Sequence, residues 1–86
     1  MLKEVEIIQK HEFVEDWELP NGKKRKVVEL VCEDRETDGE IYICAFDALT
    51  SKLNHVKEGD LYVFSDLEQN GPDTYSFIEN SSVEEC

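Results

Sequence analysis

Residues 39–65 constrain the fold of this chain more than any other part of the sequence. The opening segment, GEIYICAF, alternates with the period of two that is typical of a half-buried strand. From Asp47 the period changes, because Leu49 and Leu53 lie four residues apart and would share one face of a helix. The sequence therefore predicts a strand that leads into a short helix, with Asp47 as the helix cap.

A turn and a second strand complete this stretch. Residues 57–60 form a turn in which Gly59 is free to adopt a positive φ. Residues 61–64 are apolar and rich in strand-forming types, so we expect a strand with little solvent on either face. A strand, a lone helix at the closing point and a return strand are the middle of an OB barrel. That fold carries a recurrent binding face for single-stranded nucleic acids.

The remaining segments predict three further strands around this unit. Strand one covers residues 3 to about 14, and its Ile7-Ile8 step breaks the alternation, which indicates a bend or bulge. Strand two covers residues 26–32 after the turn-forming Pro20-Asn21-Gly22, and strand five covers residues 74–78. The predicted fold is all-β: a five-stranded OB-fold barrel with one short helix between strands 3 and 4.

The length of 86 residues is that of one domain. We place the OB-fold domain at residues 1–79 and expect an acidic, flexible tail at residues 80–86. The sequence has no apolar run near the ~18 residues of a membrane span, and the N-terminus lacks the apolar core of a signal peptide. We therefore expect an intracellular protein with no membrane partner, in the cytoplasm or, in a eukaryote, the nucleus.

The net charge of −12 bears directly on the kind of partner. Nucleic-acid binders are usually basic, because neutralised phosphates release counterions. Four of the nine basic residues are nevertheless consecutive, at Lys23, Lys24, Arg25 and Lys26. This run permits a local basic patch on an acidic molecule, and it equally fits a solvated hairpin flank.

Residues that could react or bind metal form no recognisable pattern. The three cysteines lack Cys-x-x-Cys spacing, and His11 and His55 have no cysteine partner at ligand spacing. The acidic turn at residues 33–38 lacks the glycine and terminal glutamate of a calcium loop. We expect Cys32 and Cys44 to be small buried side chains on neighbouring strands. The sequence predicts no metal, no cofactor and no enzymatic activity.

The chain resembles the single-strand-binding OB domains of replication protein A and its archaeal and telomeric relatives. The resemblance covers roughly residues 17–80, and its strongest parts are GEIYICAF and GDLYVFS, which look like the third and fourth strands of that family. The acidic turn before the first segment and the short helix between the two add to it. The resemblance implies a module that binds single-stranded DNA, or RNA, in replication or repair.

The resemblance also implies a set of binding residues. Phe46 matches the stacking aromatic that ends strand three, Tyr75 the one on strand five, and Trp17 the one in the first loop. A basic stretch follows Trp17, and a tyrosine stands on strand three where the family often has a basic residue facing the groove. The predicted nucleic-acid-binding residues are Trp17, Lys23, Lys24, Arg25, Tyr42, Phe46 and Tyr75.

Each aromatic also has a structural interpretation that the sequence leaves open. Phe46 closes a strand beside a helix, where aromatics often belong to the core. Trp17 could cover the open end of the barrel, and Tyr42 could lie on its exterior. Tyr75 and Phe77 share one face of their strand, so either both are core residues or both line the groove.

An alternative function is an acidic OB-fold module that docks on a protein partner, or on another copy of itself, and does not bind DNA. A strongly negative surface suits a basic partner and can imitate nucleic acid. The sign of the potential around the predicted aromatic set discriminates between the two functions.

Overall fold

The computed structural model describes residues 2–16 and 24–86, which are mainly strands. Within these residues there are seven strands and one 3₁₀ helix: β1 (Leu2–Asp16), β2 (Lys24–Asp34), β3 (Glu40–Phe46), the helix (Asp47–Leu53), β4 (Leu61–Ser65), β5 (Glu68–Gln69), β6 (Thr74–Ser76) and β7 (Ser82–Glu85). The strands form one sheet in the order β5-β6-β3-β2-β1-β4-β7, which curls into a half-barrel. The all-β prediction is confirmed.

The strand number differs from the predicted five. After β4 the chain turns at Asp66, which has a φ of 57°. A non-glycine residue in the left-handed region interrupts the regular extension of a strand. The short β5 that follows is antiparallel to β6, so the region of the predicted fourth and fifth strands contains three short strands.

The C-terminal residues contribute the seventh strand. Ser82–Glu85 form β7, which is antiparallel to β4. Ser81 fixes the start of β7 next to the end of β4. Its buried hydroxyl donates to the Asp66 carbonyl at 2.8 Å and accepts from the Ile78 N–H at 2.9 Å. Val83 packs against the core. The tail predicted at residues 80–86 thus contains a strand, and its flexibility stays a prediction.

β1 is the longest strand and pairs with two others. Its first residues, Leu2 to Glu6, pair with β4, and β2 accompanies it from Val5 to the end. The register with β2 shifts between Ile7 and Gln9, where the sequence predicts a bulge, and that prediction is confirmed. Ile7 is fully buried, whereas Ile8 is 43% exposed. The bulge bends β1 so that it serves both sides of the curled sheet.

The core lies on the inner side of the sheet and is built from alternate residues. Its largest fully buried side chains are Tyr62, Phe64, Phe77, Ile7, Leu30 and Ile43. The helix closes one end as predicted, with Leu53 buried and Leu49 packed against the core. β4 alternates between buried and half-buried residues. Only one of its faces is therefore fully shielded, which corrects the prediction for that strand.

Both ends of the helix are tied to strands. No side-chain hydrogen bond caps its N-terminus. Asp47, the predicted cap, has a φ of 51°, and its Oδ1 accepts instead from the Lys26 N–H at 3.3 Å. At the other end, Lys10 Nζ donates to the carbonyls of Leu53 and Val56, both at 2.9 Å. The helix is thereby fixed to β2 and to β1.

A buried ion pair joins the beginning of β1 to the end of β2. Lys3 Nζ lies 2.8 Å from Asp34 Oδ2, and the two side chains are 15% and 2% exposed. Asp34 Oδ1 also accepts from the Glu36 N–H at 2.9 Å, which fixes the following turn. The hydrogen bond from Lys3 lowers the pKa of Asp34, and the same bond raises the pKa of Lys3.

Replacing Lys3 with methionine should lower the free energy of unfolding by about 3 kcal/mol at neutral pH, because Asp34 keeps a buried charge without its partner. Since the folded-state pKa of Asp34 lies below its unfolded value, the stabilisation is complete above the unfolded pKa. It is lost as the pH falls through the folded pKa. Urea unfolding of both proteins at neutral pH and at about pH 2 measures both effects.

The control is Lys57→Met, since Lys57 is exposed and its replacement should change stability by no more than about 0.5 kcal/mol. Equal losses in the two variants, or a loss in Lys3→Met that stays unchanged in acid, would contradict this account.

Candidate nucleic-acid interface

The side of β1, β2 and β3 that turns away from the core carries three of the predicted binding residues, and we call it the outer face. Residues directly opposite one another on antiparallel strands share a face, so the register defines rows across it. These rows are Glu15–Arg25, Phe13–Val27–Phe46, His11–Glu29–Cys44 and Gln9–Val31–Tyr42. The order of the rows decides which chemical groups meet.

Arg25 and Phe46 form a stacked pair at one end of the outer face. The Arg25 Cζ lies 3.7 Å from the centroid of the Phe46 ring, which is a close cation–π contact. Arg25 Nε is 3.9 Å from Glu15 Oε2, and the Arg25 side chain is 34% exposed. Phe46 is half-buried and lies outside the main core. A guanidinium plane held in this way can itself stack on a base.

An apolar row lies beside this pair. Val27 is only 4% exposed although it is not part of the main core, and its neighbours in the row are Phe13 and Phe46. Phe13 is 42% exposed. The Arg25 end of the outer face therefore presents a second, smaller apolar cluster with an accessible aromatic ring.

Phe13 lies on the outer face, contrary to the simple alternation of its strand. Strict alternation along β1 places Phe13 on the same side as the buried Val5 and Ile7. The extra residue in the bulge inverts that phase, because a slip of one residue moves every later side chain to the opposite face. The signal that could have identified Phe13 is the Ile7-Ile8 step itself.

Tyr42 lies at the other end of the outer face, in acidic surroundings. It is 36% exposed, and its hydroxyl donates to Glu40 Oε1 at 2.5 Å. This hydrogen bond is the main cause of a raised Tyr42 pKa, to which the charges of Glu40, Asp73 and Glu29 add. The ring is thus on the exterior of the sheet and within reach of a ligand.

Three glutamates occupy the next row beyond Tyr42. Glu6, Glu33 and Glu40 are register partners across β1, β2 and β3. Arg35 offsets part of their charge, with its Nη1 3.9 Å from Glu6 Oε1 and 3.6 Å from Glu33 Oε1. The two ends of the outer face therefore differ: the Arg25 end combines an Arg25–Glu15 pair with apolar side chains, whereas the Tyr42 end is acidic.

Tyr75 does not lie on the outer face. It is 4% exposed and belongs to the core together with Phe77, which is 2% exposed. On β6 it is the register partner of the buried Ile43, and Lys3 Nζ lies 5.6 Å from its ring centroid. The prediction that Tyr75 is a groove residue is wrong, because a covered ring has no free face for a base.

The structure describes only part of the predicted basic stretch and does not describe the loop tryptophan. Trp17 and Lys23 lie outside the described residues. Lys24 and Lys26 are exposed, and they alternate with Arg25 along β2. Since successive side chains of a strand point to opposite sides, positive charge is available on both sides of β2 at this end.

Cys32 and Cys44 lie on neighbouring strands, as predicted. Cys32 is buried and Cys44 is half-buried in the middle of the outer face. Burial raises the pKa of the Cys32 thiol to about 12. Burial also raises the pKa of Cys44, and the charges of Glu29 and Glu15 raise it further. The acidic field therefore extends to the centre of the face.

The described residues contain no group of three or more histidine, cysteine or acidic side chains arranged to hold a metal ion. Within the same residues, no helix has the length and apolar character needed to cross a membrane. Comparison with protein-family models finds no matching family, and comparison with curated proteins finds no match.

Cys44 can report the acidity of this face. In a Cys86→Ser background, Glu29→Gln should increase the rate at which a thiol reagent modifies Cys44 by about two- to threefold, because removing a nearby negative charge favours the reactive thiolate. Glu84→Gln on β7 is the matched control and should leave the rate unchanged. Cys32 should react only on unfolding. Equal Cys44 rates in the three proteins would show that Glu29 does not act on this position.

Proposed function

We propose that this protein is an OB-fold module that binds single-stranded nucleic acid, DNA above all, through the Arg25 end of its outer face. The observation that carries the proposal is the Arg25–Phe46 stack next to the exposed ring of Phe13. Exposed Lys24 and Lys26 are the neighbours of Arg25 along β2, and their side chains leave the opposite side of the strand at this end of the sheet. Aromatic and guanidinium planes together with cations are the combination that single-strand binding requires.

The strand connectivity supports an OB barrel. If β4 and β5 are counted as one strand bent at Asp66, and β7 is set apart, five strands remain with a lone helix between the third and the fourth. That is the arrangement of the OB fold, in which the surface of strands two and three binds oligonucleotides. The outer face includes those two strands.

Binding combines stacking with contacts to phosphates. Stacking on an aromatic side chain contributes about 1–3 kcal/mol per base. Micromolar affinity requires a net binding free energy of about 8 kcal/mol. Once ordering costs are included, stacking on three groups provides less than that, the groups being Phe13, the Arg25 plane and Tyr42. Lys24 and Lys26 supply the remainder by neutralising phosphates. The resulting affinity is weak and depends strongly on salt.

The acidic end of the outer face limits how a strand can lie. The carboxylates of Glu29 and Glu40 repel phosphates, and salt screens this repulsion only beyond about 8 Å. The sugar–phosphate backbone therefore stays near Arg25. A base can still reach Tyr42, because carboxylates accept hydrogen bonds from base amino groups.

Replacing Phe46 with leucine should weaken binding of a labelled oligothymidine about tenfold, because the Arg25 plane loses its support while the apolar volume is largely kept. If each residue of the 23–26 stretch contacts one phosphate, the log–log salt slope of the wild type should be about −3. Lys24→Gln should reduce the magnitude of that slope by about 0.7. Fluorescence anisotropy at several salt concentrations measures the affinity and the slope.

Two variants serve as controls for this experiment. Tyr75→Phe alters an aromatic that is buried in the core, and Lys57→Gln removes a charge from an exposed turn, so both should bind like the wild type. The absence of any binding at low salt and high micromolar protein would overturn the proposed function.

A second function is favoured by one specific observation, the row of Glu6, Glu33 and Glu40. Three carboxylates on adjacent strands, offset by the single guanidinium of Arg35, match a basic protein segment better than a phosphate backbone. In this function the Tyr42 end of the outer face, not the Arg25 end, is the binding surface.

Glu40→Gln distinguishes the two functions because each predicts a different change in binding affinity. If the face binds nucleic acid, removing a repulsive charge should tighten oligonucleotide binding by about two- to threefold. If the face binds a basic segment, the same variant should weaken binding of an oligolysine peptide and leave the oligonucleotide unaffected. Titration of both ligands in the same buffer decides between them.

A further inference from the structure

We propose that two copies of this chain associate through the open edge of β1, with residues 11–15 of each copy paired antiparallel about Phe13. This surface is the edge of the sheet, and it shares Phe13 with the outer face used in the proposed function. The inference does not rest on the proposed function, and it is tested below without nucleic acid.

The edge of β1 is covered over only part of its length. β4 pairs with the first residues of β1, as far as Glu6. Farther along, the Lys10 N–H donates to Glu58 Oε2 at 3.3 Å. Beyond that point, the backbone groups of Glu12 and Val14 on the side away from β2 have no hydrogen-bond partner within residues 2–16 and 24–86.

The hydrogen bond of Lys10 shows which backbone groups are available. Its N–H points away from β2, and along an antiparallel strand this direction alternates from residue to residue. Glu12 and Val14 therefore direct their N–H and C=O groups outward. Their surroundings are exposed: the Glu12 side chain is 60% exposed, and Val14 and Phe13 are 55% and 42% exposed. An unpaired edge with exposed apolar side chains is a template for another strand.

The sequence of this edge complements itself in one register. With the two-fold axis at Phe13, each Phe13 faces its copy, Glu12 faces Val14 and His11 faces Glu15. The outward backbone groups of Glu12 and Val14 then form the hydrogen-bonded pairs that an antiparallel ladder requires. The aromatic pair stabilises such a ladder, and no like charges in residues 11–15 stand directly opposite each other.

The neighbouring registers are less favourable. Moving the axis to residue 12 places Glu12 opposite its own copy, which is a like-charge pair. Moving the axis to residue 14 places Phe13 opposite Glu15 and removes the aromatic pair. If the two-fold axis lies between two residues, a residue whose N–H and C=O point outward faces a residue of the other copy whose N–H and C=O point back to β2. No ladder of hydrogen bonds can form in such a register. The composition of residues 11–15 thus selects one arrangement.

Among the residues that the structure describes, the surface beside this edge leaves room for a second strand. A depression of about 210 Å³ lies between the edge and the helix, lined in part by Val14, Thr50 and Asn54. The Val14 side chain of the second copy projects toward it, on the same side as Glu12. The interface is small, well below the roughly 1,200 Å² of stable complexes, so the dimer forms only in the high micromolar to millimolar range.

Salt has opposite effects on this contact and on nucleic-acid binding. Each copy carries a net charge of −12, so two copies repel each other at long range, and added salt screens that repulsion. Dimerisation should therefore strengthen with salt, whereas binding to phosphates weakens.

Sedimentation equilibrium of the full chain, from micromolar to millimolar concentration and at low and high salt, tests the proposal. Val14→Pro is the informative variant, because proline is tolerated where an edge N–H faces solvent and it removes a donor that the dimer needs. Val14→Thr is the matched control, since it keeps the donor and the β-branched shape. We expect dimers for the wild type and for Val14→Thr, and a monomer for Val14→Pro with unchanged circular dichroism.

A wild type that stays monomeric up to millimolar concentration at high salt would overturn the proposal, and so would a folded Val14→Pro protein that dimerises like the wild type. If Val14→Pro does not fold, amide chemical shifts of the wild type on dilution decide the question. Shifts that change at residues 11–15 support the edge contact, and changes confined to other residues refute it.

Discussion

The bulge in β1 is the constraint on which the rest of this structure depends. By adding one residue at Ile8, it bends the strand so that β4 and β2 can both pair with it. It also exchanges the two sides of β1, so that Ile7 faces the core while Phe13 faces outward. Without this exchange, the apolar row on the outer face would lose one of its three members and the core would receive a surplus ring.

The distribution of charge explains how an acidic chain can offer a surface to phosphates. Acidic side chains dominate the total, yet the register gathers Glu6, Glu33 and Glu40 in one row at one end of the outer face. Arg25 stacks on Phe46 at the other end. Since exposed charges farther apart than about 8 Å are largely screened at physiological salt, the two ends act as separate surfaces. Local order therefore matters more than the net charge of −12.

Features governed by local periodicity were predictable from the sequence, and features governed by distant pairing were not. The strand-to-helix step at Phe46 and the bulge at Ile7-Ile8 follow from a change of period within a few residues. The burial of Tyr75 depends on its parallel pairing with β3, and the order of residues 82–85 depends on β4. Neither partner is close in sequence. Phe13 is an intermediate case, because the Ile7-Ile8 step predicts the bulge, and the outward position of Phe13 follows only when the alternation is shifted by one residue after that bulge.

The central claim is that the sugar–phosphate backbone of a nucleic acid contacts the Arg25 end of the outer face and avoids the row of Glu6, Glu33 and Glu40. The most direct measurement is a nitrogen-15 NMR titration of the full chain with an unlabelled single-stranded oligonucleotide at low salt. The account predicts that amide shifts cluster at Lys24, Arg25, Val27 and Phe46, with little change at Glu33 and Glu40. Shifts centred on the glutamate row, or no shifts at all, would contradict it.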